Sequence, residues 1–237
     1  MENLQDKIVG ITIGIRFARS FRIPDISGSI IDNILYGGKT PFGTKVFSQV
    51  QEDPSGEKIL IHPKTKEYLR INTDDVILGI STEKNFEEKF SWLKNDVLGY
   101  FKDELFRLYK INNIKRIGII FHHKIQKNGK LKKAVSLITD EGLKDADNIN
   151  ISFSEKLSAI EAFRSGVNDY RNTIYNFEEA EEGIHTSLDY QYYYVPAVED
   201  LRECFSEKVV DNAKTFLEKN YYSWLSKYDN KENKQAK

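Results

Sequence analysis

The chain has 237 residues, 40% hydrophobic and 12% aromatic, enough apolar surface to build a substantial core rather than stay disordered. Thirty-five basic against thirty-six acidic side chains leave a net charge of −1, which argues against a nucleic-acid coat or a membrane-surface protein. One cysteine, Cys204, excludes an intrachain disulfide and a cysteine-built metal cage.

The start, "MENLQDKIVG", lacks the features of a signal peptide, and no apolar run approaches the ~18 residues of a membrane span, so a soluble cytoplasmic protein is expected. Residues 8–17, "IVGITIGIRF", alternate with period two and predict a half-buried strand. A helix follows, capped by Asp25 or Ser27, with Ile26, Ile30, Ile31, Ile34 and Leu35 at helical spacing and Gly37-Gly38 as its stop. From 44 to 81 the text reads as a meander of "TKVFSQVQ", "EKILIHP", "EYLRI" and "VILGIS", each separated by turn chemistry.

Residues 84–109 predict a long helix on Phe86, Phe90, Leu93, Val97, Phe101, Leu105 and Leu108, with Ser81 or Thr82 as its cap. "IKRIGIIFHHKIQ" is then a strand, and Asn128-Gly129 a hairpin turn into a strand "LKKAVSLIT". After a loop over 139–149, strands are expected near 150–159 and 168–177, then through "TSLDYQYYYV". An amphipathic helix is expected to close the fold over roughly 197–227, and 229–237 is a polar tail expected to be disordered. The layout predicts one α+β domain over 1–228, a mainly antiparallel sheet with two long amphipathic helices on one face. A strand and long helix near 76–109 recur near 184–227, which points to two pseudo-equivalent halves.

Three blocks, "ITIGIRFARSFRIPDISGSIIDNIL", the text from "LRINTDDVILGIS" through "IKRIGIIFHHKI", and "SLDYQYYYVPAVEDLRECFSEKVVDNAKTFLEKNYYSWL", stand in an order that carries a resemblance. Together they resemble a sporadically distributed family of uncharacterised prokaryotic proteins of about this length. Its pattern is a strand ending in hydrophobic-Arg-Phe, a central Arg-hydrophobic-Gly strand, and an Asp-rich aromatic strand before a closing helix. The chain departs from it after the central glycine, where "IIFHHK" replaces Leu-Arg-Tyr-like text. The resemblance implies an accessory, defence-associated role and carries over no catalytic residue.

In "TSLDYQYYYV", alternation sends Tyr190, Tyr192 and Tyr194 to the core side and His185, Ser187, Asp189, Gln191 and Tyr193 to the polar side. These are no triad, because same-face strand neighbours lie ~6.6–6.8 Å apart where catalytic contact needs ~2.6–3.2 Å. Gly10, Thr12, Gly14 and Arg16, then Arg116, Gly118, His122 and Lys124, and Asn150, Ser152, Ser154 and Lys156 repeat the polar side on other strands. If they share a sheet, that face is broad and hydrophilic, with glycines leaving room for an approaching partner.

His122 and His123 point to opposite faces and cannot share a metal; His123 is expected to be a hydrogen-bonded core histidine. "GGKTPFG" lacks P-loop spacing and follows a helix. Asp74-Asp75 and Glu178-Glu179 read as solvated loop acids. The Lys124, Lys127, Lys130, Lys132, Lys133 hairpin lacks aromatics for base stacking and reads as edge protection.

The leading expectation is a non-catalytic binding or assembly protein that engages another macromolecule through the polar sheet face or an edge strand. The binding face comprises Arg16, Arg116, His122, Lys124, Asp189, Gln191 and Tyr193. The alternative is a hydrolase or nuclease-like enzyme using His122, His185 and Asp189 from neighbouring strands. Another protein is the expected partner, with nucleic acid less supported, no membrane, and a homo-oligomer left open; no cofactor or metal is expected.

Overall fold

The computed structural model describes residues 8–52, 57–82, 85–125, 150–158, 163–180 and 183–223. Strand β1 (Ile8–Phe17) buries Ile11, Ile13, Ile15 and Phe17 and turns Thr12, Gly14 and Arg16 the other way. Helix α1 (Ile23–Tyr36) buries Ile23, Ser27, Ile30 and Ile34. Neither expected cap is used. Arg22 occupies the N-cap without a side-chain bond, Pro24 fills the first turn, and Ser27 Oγ donates to the Pro24 carbonyl from within the helix.

The meander follows as β2 (Gln49–Glu52), β3 (Lys58–Ile61), β4 (Tyr68–Ile71) and β5 (Asp75–Ser81). Helix α2 then runs over 86–109, with π-helical turns at Leu93–Val97 and Phe101–Phe106. A π-turn adds a residue and advances the phase of the apolar side. Consecutive pairs, Val97-Leu98 and Leu105-Phe106, are thereby all buried. Here too the expected cap is spent elsewhere: Thr82 Oγ1 donates to the Ile8 carbonyl, and Asn85 precedes the first turn.

Strands β6 (Ile114–Ile125), β7 (Asn150–Ser158), β8 (Tyr170–Ala180) and β9 (Gly183–Val198) complete the sheet. The Asn128-Gly129 hairpin, the "LKKAVSLIT" strand, the 139–149 loop and the 229–237 tail lie outside the described residues. The closing helix begins later than residue 197. β9 continues to Val198, which pairs with Ile114, and Asp200 accepts the Arg202 N–H at 2.8 Å to cap a single 3-10 turn over Leu201–Glu203. Phe205 then turns left-handed, φ 50°, and α3 (Ser206–Phe216) starts, extended by a π-turn over Leu217–Tyr221.

Among the described residues the strands form one antiparallel nine-stranded sheet in the order β2-β3-β4-β5-β1-β6-β9-β8-β7. All three helices share one core with one face of it. Tyr190, Tyr192 and Tyr194 are buried there, as alternation predicts. Helix α1 lies beside α2, with the Tyr109 hydroxyl donating to the Ser29 carbonyl and Tyr100 to Asn33 Oδ1, both at 2.5 Å.

Four strands of each half correspond. Gly14 pairs with Gly118, Ile13 with Ile119 and Ile15 with Ile117, so a two-fold axis between the glycines exchanges β1 and β6. Across one half, Gly14 faces Ile77, which faces Arg70, which faces Ile59. Across the other, Gly118 faces Gln191, which faces Asn172, which faces Lys156. The axis therefore relates β5 to β9, β4 to β8 and β3 to β7, with α2 and α3 following equivalent strands. Sequence agrees with this register. "IGIRF" at 13–17 matches "IGIIF" at 117–121, Asp75 matches Asp189, Tyr68 matches Tyr170, and Leu60 matches Leu157.

Candidate interaction face

The sheet face opposite the helices is covered by no described element. Alternation from the paired strands assembles it in rows, and the expected residues all fall on it: Arg16, Arg116, His122, Lys124, Asp189, Gln191 and Tyr193. Near its centre the polar groups satisfy one another. Gln191 Nε2 donates to Asp189 Oδ2 at 2.5 Å, the Tyr193 hydroxyl donates to Gln191 Oε1 at 2.7 Å, and Arg116 donates to the Tyr193 oxygen at 3.4 Å. This network lies over Gly118, where a Cβ would meet Gln191 Cγ at 3.6 Å, an ordinary contact. Burial raises the Asp189 pKa, against the opposing pull of Gln191 and Arg116.

A cation–aromatic stack crosses the second half. The Arg116 guanidinium lies 5.7 Å from the Tyr193 ring centre, Tyr193 stacks on Tyr170 at 4.5 Å, and the Lys156 ammonium sits 4.1 Å from Tyr170. Both outer ring faces are thus taken by cations, which leaves no platform for a base. In the first half the charges pair locally: Arg16 with Asp74 at 3.1 Å and Arg70 with Asp75 at 3.4 Å. Those acids therefore serve ion pairs rather than a cation.

His122 Nε2 shares a 3.0 Å hydrogen bond with Thr12 Oγ1, Asp189 is engaged by Gln191, and no hydrogen bond joins His122, His185 and Asp189 to one another among the described residues. His122 stands opposite Ser187, not Asp189, and its pKa is lowered by burial. Asn176 donates to Ser187 at 3.1 Å and accepts from Ser152 at 2.7 Å, which occupies that serine. A shallow hollow of about 340 Å³ bordered by His122, Asn176, Glu178, His185 and Ser187 lies over these strands. No group of three potential metal ligands occurs among the described residues.

Two expectations are corrected. His123 is buried, but neither ring nitrogen has a hydrogen-bond partner among the described residues; its ring packs 5.3 Å from Tyr221 and 5.8 Å from Tyr222. And the face is not uniformly hydrophilic. Ile59, Ile61, Ile77, Ile120 and Ile174 stand on it, each half-buried, between the polar rows. The signal was present in "KILI" and "GIIF", where consecutive apolar residues break the alternation and make a strand apolar on both sides.

The chain matches no protein-family model, and no curated protein matches it. No helix among the described residues is long and apolar enough to cross a membrane.

Proposed function

We propose that this chain is a non-catalytic binding or assembly protein, cytoplasmic, whose open sheet face engages another protein. One observation carries the reading: five half-buried isoleucines and the Tyr170–Tyr193 pair lie on a sheet face that no described element covers. An antiparallel face kept for solvent reads polar. Apolar side chains set among polar groups that already satisfy one another is instead the composition of a protein interface. The occupied ring faces and the internally paired charges favour a protein over a nucleic acid. An accessory role in prokaryotic defence belongs to the same proposal and rests on the family resemblance alone.

The test is affinity capture from cells of origin with the native chain and with an Ile120→Arg/Ile174→Arg variant of unchanged circular dichroism. A protein retained in stoichiometric amount by the native chain and lost by the variant supports the face. Equal retention by both would remove it.

A further inference from the structure

The correspondence of the halves exposes one asymmetry. In the first half, β3 carries β2 on its outer side, with Val50 opposite Leu60 and Gln51 opposite Ile59. The equivalent strand of the second half, β7, has no strand beyond it among the described residues. That edge is the longer one, nine residues against four in β2. It pairs with β8 without a bulge, contains no proline, and exposes Phe153 and Leu157 to 44% and 39%. Edges that must stay unpaired are shortened, bulged, broken by proline or charged; β7 is long, unbulged and free of proline, and its two charges, Glu155 and Lys156, are of opposite sign.

We propose that β7 pairs antiparallel with β7 of a second copy of this chain, centred on Ser154, filling the position that β2 fills in the first half. Keeping the helix sides together requires same-face residues to meet, which leaves few registers. Centring on Glu155 sets two carboxylates directly opposite, a destabilising pair. Centring on Phe153 opposes the two Phe153 rings but sets Ile151 against Glu155 and leaves Leu157 beyond the end of the opposing strand. Centring on Ser154 sets Ile151 against Leu157 of the second copy twice over, Ser152 against Lys156, and the Phe153 ring against the Glu155 stem, with no like charges opposed. The two copies then share one continuous sheet, and their open faces lie on the same side. The dimer is joined through the backbone edge of β7 rather than through the isoleucines or the Tyr170–Tyr193 pair of the open face, so either reading can fail without the other.

The 237-residue chain is examined by sedimentation, and a species of twice its 27.5 kDa mass is expected. A Phe153→Lys/Leu157→Lys variant is expected to revert to the single-chain mass with an unchanged circular dichroism spectrum. Register is read by cysteine substitution, since the native thiol, Cys204, is buried. Under mild oxidation Ser154→Cys cross-links to a dimer, because directly opposed strand residues bring Cβ atoms within ~4.5–5.5 Å. Ser152→Cys does not, its own counterpart being displaced along the strand. A single-chain mass at every concentration overturns the proposal. So does a dimer that survives the double substitution and gives no Ser154→Cys cross-link, which would place the contact on another face. A single-chain mass with the outward amides of 150–158 protected from exchange would show the edge covered by the chain's own residues, and overturns it equally.

Discussion

Gly14 of β1 lies directly opposite Gly118 of β6, on the axis that relates the two halves of the sheet. Neither carries a side chain, which leaves the middle of the open face to backbone and to the side chains that reach over it, and Gly118 is itself buried. It is bordered by the Thr12–His122 hydrogen bond toward one end and by the opposed pair Arg16 and Arg116 toward the other. Polar side chains on the flanking strands lean into this space; Gln191 and Asp189 do so over Gly118.

Not every glycine of the face leaves space unused. A Cβ on Gly79 would fall 2.4 Å from Cε1 of Tyr68, whose ring lies across it from the neighbouring strand, whereas a Cβ on Gly118 meets its nearest neighbour at 3.6 Å. Gly79→Ala is therefore expected to cost about 1–3 kcal/mol through forced displacement of the ring. Gly118→Ala should stay within about 0.5 kcal/mol. Urea denaturation of both variants checks the contrast. In a cycle with Tyr68→Ala the Gly79 penalty should vanish; if it persists, the overlap with the ring is not its cause.

The sheet was legible because its strands are periodic. Val9 to Phe17 alternate cleanly, and the three tyrosines at 190, 192 and 194 follow the same rule into the core. Strand order was not legible, since nothing local tells β1 to pair with both β5 and β6. The helix ends were misplaced for a different reason. Ser27, Thr82 and Asp200 have cap chemistry, yet Ser27 and Thr82 are drawn into other bonds and Asp200 caps only a short turn, choices made by tertiary neighbours rather than by propensity. The binding face was legible as a set of side chains on one side of alternating strands. Its isoleucines were not, because in runs such as Ile59-Leu60-Ile61 and Ile119-Ile120 apolar residues occupy both sides of the strand and the pattern does not say which side is open.

Asp169 ties the end of β9 to the chain before β8. Its carboxylate is fully buried and accepts from the Arg164 guanidinium, from the Tyr192 hydroxyl at 3.1 Å, and from the Val195 N–H at 2.8 Å. Asp169→Ala leaves a mostly buried guanidinium, a hydroxyl and an amide without their acceptor. Removing one partner of such a pair costs about 3–5 kcal/mol. Chemical denaturation should show a loss of this size, while Arg202→Ala, which breaks an exposed pair with Asp200, should cost far less. Similar losses for the two would mean that Asp169 is not a structural tie.

Cys204 sits in the core, where burial pushes its thiol up to about 12. The reactive species is the thiolate, so the native protein should be inert to a thiol reagent at pH 8 and react fully in denaturant. Because the thiol lies beside the last turn before α3, its labelling rate reports opening of that helix from the sheet. Rapid labelling under native conditions would show that α3 opens readily.

His123 gives the fold an acid-sensitive core. Burial holds its pKa down to about 3, below the ordinary 6.5. Between those values the unfolded chain binds a proton that the folded chain refuses, so stability is complete above about pH 6.5 and falls as the pH drops toward 3. His122, also lowered by burial, contributes with the same sign from the other face. His123→Leu removes the larger of the two contributions and leaves carboxylate titration unchanged. Urea midpoints at pH 7.5 and 4.5 should therefore lie closer together in the variant than in the native chain. An equal spread in both would mean that His123 gains its proton without unfolding, through a local opening past Tyr221 and Tyr222.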